Sequence, residues 1–214
     1  PKKVDGYVAS EAAMAGPRVP PGTYRVRLNV GKTSQEQSFA VVKDARLATS
    51  QQDFDRQFEL LRRIAAKVSE THDAINTLRG IRRQVEEWQR RVKGQPGEAT
   101  VTTAAEPLLR ALSAIEDELI QSKARSRQDT LNYPVRLNAQ LAGLAGVVGS
   151  ADAAPTRQSF ELFDDLTRRI DAQLERMRAV ITKEVAAFNA AVRAASVAAI
   201  VPSADYVKVS AQPK

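Results

Sequence analysis

Polar and apolar residues alternate in one short stretch near the start of the chain. In residues 23–30 every second side chain is apolar, which places four of them in a row: Tyr24, Val26, Leu28 and Val30. Because successive side chains of a β-strand point to opposite faces, this alternation predicts a strand with one apolar face. Gly31 and Lys32 then supply a turn, and residues 37–42 predict a second strand. We therefore expect a hairpin within a partial β-sandwich-like segment over residues 1–48.

A hairpin of this kind needs a covering partner, because two strands alone are marginally stable in water. Phe39 and Val41 of the second strand add to the apolar face of the first. We expect this face to recruit an added strand from the tail over residues 201–214, where Tyr206 to Val209 has an extended pattern, to pack on the end of a helical bundle, or to pair with another molecule.

From Ser50 onward the apolar period changes to that of a helix. Apolar residues recur every three or four positions, and His72 falls on the same stripe: Phe54, Phe58, Leu61, Ile64, Val68, Ile75, Leu78, Ile81, Val85, Trp88 and Val92. Such a stripe predicts one long amphipathic helix. Ser50 and Asp53 have the spacing of a capping box, and the glycines and proline of residues 94–97 end the helix.

Three shorter apolar stripes follow, and they predict a helical bundle over residues 49–200. The first is Leu108, Leu112, Ile115 and Leu119; the second is Leu137, Leu141, Leu144 and Val148, with Pro134 expected in the first turn of its helix. The third, after a cap at Thr156, is Phe160, Phe163, Ile170, Leu174, Met177, Ile181, Val185, Phe188 and Val192.

The helix lengths predict a mainly α fold, an elongated three-arm bundle with an interrupted middle arm and a small antiparallel β segment at the N-terminus. Two helices of about 40 residues each span about 60 Å at 1.5 Å per residue, and the two shorter helices together match that length. Six residues are expected in the core: Leu61, Leu78, Ile115, Leu141, Ile170 and Met177.

Composition narrows the class of partner. The chain has 214 residues, is 43% hydrophobic and 27% charged, has no cysteine, and contains no apolar run of about 20 residues, so we expect no membrane span. Its formal net charge is +7, yet lysine and arginine are interleaved with acidic residues along the predicted helices. This interleaving is typical of solvated helix faces, so we expect no nucleic-acid partner.

The candidate chemical motifs are incomplete. Gly31-Lys32-Thr33 ends like a phosphate-binding loop, but the earlier glycine of that motif falls at Val26. His72 is the single histidine and lies on an apolar stripe, which favours a packed residue over a catalytic base. Acidic clusters at residues 86–87, 116–118 and 164–165 are expected on solvated helix surfaces, and no glutamate is followed three residues later by histidine. We expect no catalytic, cofactor-binding or metal-binding residue in this chain.

Two stretches resemble a known family. Residues 21–28 and 39–46 resemble the last strands of the immunoglobulin- or fibronectin-like sandwich in large secreted bacterial proteins with sortilin-type, BNR-repeat β-propellers, which are commonly labelled glycosyl hydrolases. Residues 128–138, 141–144 and 150–156 are similar to the C-terminal helical region of the same proteins. The resemblance covers about residues 17–200, and it differs at the hairpin turn, where Val30-Gly31 replaces the usual Asp-Gly.

The resemblance implies a secreted or periplasmic location and a propeller preceding this chain. It implies a non-catalytic structural or interaction module, from the C-terminal end of such a protein, that contacts its own propeller or another protein. The alternative is an accessory part of a glycoside hydrolase whose active site lies in the absent propeller.

Overall fold

The computed structural model describes residues 1–6, 16–124 and 126–196, and only the backbone of Arg127 and Thr130. Of these residues, 64% are helical, and a two-stranded antiparallel sheet precedes the helices. The predicted mainly α fold with a small N-terminal β segment is confirmed. The order of elements, one long helix, two shorter ones and a last long one, also follows the predicted order.

The hairpin consists of β1 (Gly22–Val30) and β2 (Thr33–Val41), paired without interruption from the outermost pair to the turn. The turn has two central residues, and Gly31 has a φ of 60°, in the left-handed region that glycine adopts readily. Lys32 does not have a positive φ. This combination is that of a type II′ turn, which suits the twist of a hairpin. The predicted hairpin is confirmed, while the predicted tail strand at Tyr206 to Val209 lies outside the described residues.

α1 (Gln51–Val92) begins with the predicted capping box. The amide of Asp53 donates to the Ser50 hydroxyl over 3.2 Å, and the amide of Ser50 donates to the Asp53 carboxylate over 3.4 Å. Asp53 thus takes the place of the more usual Glu or Gln. After Val92 the chain turns at Gly94 and Gly97, whose φ angles are 75° and 100°, so the predicted stop is also confirmed.

The middle helices are α2 (Glu98–Leu119) and α3 (Leu137–Val148), with a 3₁₀ helix (Arg127–Leu131) between them. All eight apolar residues predicted for their stripes are buried. The prediction that Pro134 lies in the first turn of α3 is wrong. Pro134 precedes the helix by three residues, and its carbonyl accepts a hydrogen bond from the Gln121 side chain.

The last helix begins as α4 (Arg157–Val180), passes through a π-helical turn (Ile181–Val185) and continues as α5 (Ala186–Ala194). The predicted cap is confirmed, because the amide of Ser159 donates to the Thr156 hydroxyl over 3.2 Å. Ile181 is exposed although the apolar stripe placed it inside. Ile181 is the first residue of the π turn, and the next buried side chain of this helix is Phe188, beyond the turn.

The chain forms two compact units, residues 1–78 with 114–176, and residues 79–113 with 177–196 among those described. The first unit has a core from four helices: Leu60, Ile64, Val68, Ile75, Leu78, Ile115, Leu119, Leu141, Leu144, Phe163, Leu166 and Ile170. The second has a smaller core: Val85, Val92, Val101, Leu108, Leu112, Met177 and Phe188.

Five of the six residues predicted to be in the core are buried, and Leu61 is the exception. Leu60 is 1% exposed instead, and Gln57 is buried beside it in the helical register. The amide of Gln57 finds two carbonyl acceptors there, Val148 O at 2.7 Å and Ala151 O at 2.6 Å. The buried face of α1 therefore runs through a polar residue, and Leu61 lies at its margin.

Candidate functional site

His72 of α1 is fully buried, with both ring nitrogens engaged. Nδ1 lies 2.6 Å from the carbonyl oxygen of Lys2, which only accepts, so Nδ1 carries the proton and donates. Nε2 then accepts from the side-chain amide of Asn138 on α3 over 3.4 Å. The amide of Ala139 donates to Asn138 Oδ1 over 2.7 Å, and this bond orients the Asn138 side chain. His72 is thus held as a neutral imidazole that ties residues 1–3 and α3 to α1.

The surroundings of His72 disfavour its charged form. Burial is the largest influence and lowers the pKa of His72 below 6.5; the bond to Lys2 O raises it, the amino group of Pro1 lowers it and Asp73 raises it. In the unfolded chain His72 therefore binds its proton at a higher pH than in the folded chain. The contribution of His72 to the free energy of unfolding is therefore fully present above about pH 6.5. It decreases as the pH falls through the interval between the pKa of His72 in the unfolded chain and its lower pKa in the folded chain.

The acidic clusters mostly lie on exposed helix surfaces, as predicted. Glu86, Glu87, Asp117, Glu118 and Asp164 are exposed, and Asp165 is partly exposed beside Arg168 and Arg169. Glu116 differs from the prediction, since it is only 4% exposed on the inner face of α2. Within residues 1–6, 16–124 and 126–196, no three histidine or carboxylate side chains are grouped so as to hold a metal ion.

The apolar face of the hairpin is the most unusual surface in the described part of the chain. The strand register pairs Tyr24 with Phe39 and Gly22 with Val41, so the predicted apolar side chains share one face. That face is open: Val26 is 55% exposed, Leu28 62%, Val30 65% and Phe39 48%. A sheet that buries one face and solvates the other shows this sorting of residues, yet here the apolar face is as uncovered as the charged one.

The opposite face of the hairpin carries its charges. Arg27 lies directly across from Glu36 and forms an ion pair with it, and Arg25 Nη1 lies 3.6 Å from the same carboxylate. Two arginines therefore share one glutamate. The sequence analysis missed this cluster, although a two-residue turn at Gly31 and Lys32 fixes the register that brings the three residues together.

Two cavities lie within the first unit. The larger, about 340 Å³, is lined by small and apolar residues such as Leu61, Ala65 and Gly146, with the Arg18–Asp152 pair at 3.9 Å. The smaller, about 190 Å³, is polar and includes Lys123 and Arg136. The larger reaches the size of a small-molecule site, and the polar side chains in its lining are those of Arg18, Gln57 and Asp152.

Some of the aromatic residues that were predicted to lie in the core are buried, and others are only partly buried. Phe54 and Phe163 are buried, and the Arg63 guanidinium lies 4.5 Å from the centre of the Phe163 ring. Trp88 is only partly buried and has the Arg91 guanidinium 5.1 Å from its ring. Both are cation–π contacts of surface arginines, and they need no ligand to explain them.

The phosphate-loop-like residues Gly31, Lys32 and Thr33 form the hairpin turn and the start of β2, as expected. None of the helices in the described ranges is both long and apolar enough to cross a membrane. No protein-family model matches the chain, and no curated protein and no solved structure is significantly similar to it.

Proposed function

We propose that this chain is a non-catalytic interaction module, in which a helical scaffold carries a β-hairpin that another polypeptide surface covers. The observation that supports the proposal is the open apolar face of the hairpin. Four of its large side chains are 48% to 65% exposed, in a chain whose helices bury their own apolar stripes. Contiguous exposed apolar residues with a charged opposite side are typical of interaction sites.

The state of His72 supports the non-catalytic part of the proposal. A general base needs a free nitrogen within reach of a substrate proton. In this chain one nitrogen donates to Lys2 O, the other accepts from Asn138, and the side chain has no exposed surface. The role of His72 in the proposal is therefore to hold residues 1–3 against α1.

The finer identity of the module rests on the resemblance of residues 17–200 alone. On that basis we propose a secreted bacterial protein in which this module contacts its own preceding β-propeller or another protein. The alternative proposal is an accessory part of a glycoside hydrolase. Turnover of a glycoside by the purified chain, lost on changing one carboxylate with the fold retained, would favour an enzyme over both.

Site-specific photo-crosslinking tests the proposal in the full-length protein in its own cells. Benzoylphenylalanine in place of Leu28 reports on the apolar face, and the same group in place of Ser34, which lies on β2 away from the edge of β1, reports on the charged face as a matched control. We expect a crosslinked product from position 28 that is lost when Val26 and Phe39 are both changed to Thr. Equal products from both positions, or none from position 28, would contradict the proposal.

A further inference from the structure

Among the described residues no further strand pairs with either edge of the hairpin, so it has two open edges as well as an open face. In an antiparallel pair joined by a two-residue turn, the residues that flank the turn bond to each other, and bonded and non-bonded pairs then alternate. Val30 and Thr33 flank the turn, so the even-numbered residues of β1 point their backbone groups toward β2. The amides and carbonyls of Thr23, Arg25, Arg27 and Asn29 consequently point outward along the free edge of β1.

Among the usual features that prevent strand pairing, the edge of β1 has only charged side chains, those of Arg25 and Arg27. Natural edge strands are protected by short length, proline, lysine or a bulge. β1 has nine residues, contains no proline or lysine, and pairs with β2 in an uninterrupted register. Thr23, Arg25, Arg27 and Asn29 are all exposed. This edge can therefore accept a further strand along its whole length.

Charge distinguishes the edge of β1 from the edge of β2. The residues whose backbone points outward from β1 place their side chains on the charged face, and Arg25 and Arg27 are 74% and 63% exposed there. Glu36, the one charged residue on the corresponding positions of β2, is already paired with both arginines. The edge of β1 therefore carries an uncompensated positive charge, whereas the edge of β2 carries none.

A second copy of the chain does not fit this edge. Antiparallel pairing of two β1 strands would bring four arginines onto one face, and like charges placed across strands are unfavourable. Face-to-face packing of two hairpins, each about 30 Å long and about 10 Å wide, would bury on the order of 600 Å² in total, about half of what a stable complex needs.

We propose that the edge of β1 binds an extended segment of another polypeptide, which adds as a third strand and alternates acidic with apolar side chains. The acidic side chains lie beside Arg25 and Arg27 on the charged face, and the apolar ones lie beside Val26 and Leu28 on the open face. This inference rests on the proposed function and specifies its partner. Main-chain hydrogen bonds supply the binding, and the alternation of side chains supplies the specificity.

Peptide titration of the ¹⁵N-labelled full chain tests the inference. The probe is the capped peptide Thr-Val-Glu-Val-Glu-Val-Thr, and the matched control is Thr-Val-Lys-Val-Lys-Val-Thr. We expect the acidic peptide to bind at least about fivefold more tightly than the basic one, as cross-strand charge pairs predict. Binding should slow amide exchange at Thr23, Arg25, Arg27 and Asn29, and leave the outward amides of β2 unchanged.

Two proline variants identify the edge. Asn29 and Ser34 lie directly across from each other, and both amides point outward, so proline at either position removes no bond between β1 and β2. We expect Asn29→Pro to abolish peptide binding and Ser34→Pro to preserve it. The opposite result would overturn the assignment to β1 while leaving the proposed function intact.

A charge exchange provides a variant that keeps the hairpin paired. Arg25→Glu, Arg27→Glu and Glu36→Arg together reverse the charges but retain the internal ion pairs, and we expect this variant to prefer the basic peptide. Equal affinity for both peptides, or no binding of either at millimolar concentration, would overturn the inference. Concentration-dependent protection without peptide would also overturn it, in favour of a second copy. If the β1 amides are already protected in the monomer, the edge is covered within the chain and the inference fails, whereas the proposed function is still decided by crosslinking from the apolar face.

Discussion

Gln57 provides a direct test of how α1 is joined to α3. Its side chain is 8% exposed, and its Nε2 donates to Val148 O over 2.7 Å and to Ala151 O over 2.6 Å. Val148 is the last residue of α3, and the final carbonyls of a helix have no partner within the helix. Gln57 therefore caps α3 from a neighbouring helix and also holds the loop that follows it.

Gln57→Met removes both hydrogen bonds with little change in side-chain length. Val148 is 6% exposed, so water has little access to its carbonyl, and a buried carbonyl without a partner costs about 1 to 3 kcal/mol. Ala151 is exposed, so water replaces part of the second bond, and its loss adds about 1 kcal/mol or less. We expect the free energy of unfolding to fall by about 1 to 4 kcal/mol in total.

The matched control is Gln51→Met. Gln51 lies on the same helix and also donates two hydrogen bonds, to Pro21 O over 3.1 Å and to Asp55 over 2.9 Å, but it is exposed. We expect a change within about 0.5 kcal/mol for this variant. Urea unfolding followed by circular dichroism measures both variants. If Gln57→Met lowers the free energy of unfolding by no more than Gln51→Met does, burial does not strengthen the contribution of the Gln57 hydrogen bonds to stability, and the reasoning is wrong.

Three further changes test other parts of the structure. His72→Asn keeps a donor for Lys2 O but does not titrate. We expect the free energy of unfolding in urea to stay level from pH 7 to pH 5.5 for this variant and to fall for the parent chain. The same pH dependence in both proteins would contradict the lowered pKa of His72. Thr167 has a buried hydroxyl without a hydrogen-bond partner, so Thr167→Val should leave the free energy of unfolding unchanged or raise it by about 1 kcal/mol. A decrease of more than about 1 kcal/mol in thermal unfolding would show that the hydroxyl has a partner. Leu78 is fully buried, so Leu78→Ala should cost about 2 to 5 kcal/mol in urea unfolding, and a cost below about 0.5 kcal/mol would refute its place in the core.

Regular periods and caps were readable from the sequence because each depends on neighbouring residues. The alternation in residues 23–30 predicted β1, and the recurrence of leucine every three or four residues predicted α2 and α3. The spacing of Ser50 and Asp53 predicted the start of α1. These features involve local backbone geometry and one apolar face. A single sequence contains that information in full.

The departures from prediction depend on partners that are distant in the sequence. Gln57 is buried because carbonyls about 90 residues away accept its bonds, and an apolar stripe passes over such a polar residue. Ile181 is exposed at the start of a π turn, and Pro134 lies outside α3 in a stretch without regular secondary structure. The charge cluster of Arg25, Arg27 and Glu36 could have been predicted from the sequence, because the two-residue turn alone sets the strand register that brings these residues together.

The path of the chain between the two units has a consequence for how this protein can change over evolution. The chain passes from one unit to the other at residues 78–79, 113–114 and 176–177, and each of these points lies inside an α-helix, α1, α2 and α4 respectively. A recombination event that exchanged one unit would have to join foreign sequence within three helices at once, and keep the phase of each. Units separated by loops can be inherited independently, whereas these two must be inherited together and altered by substitution.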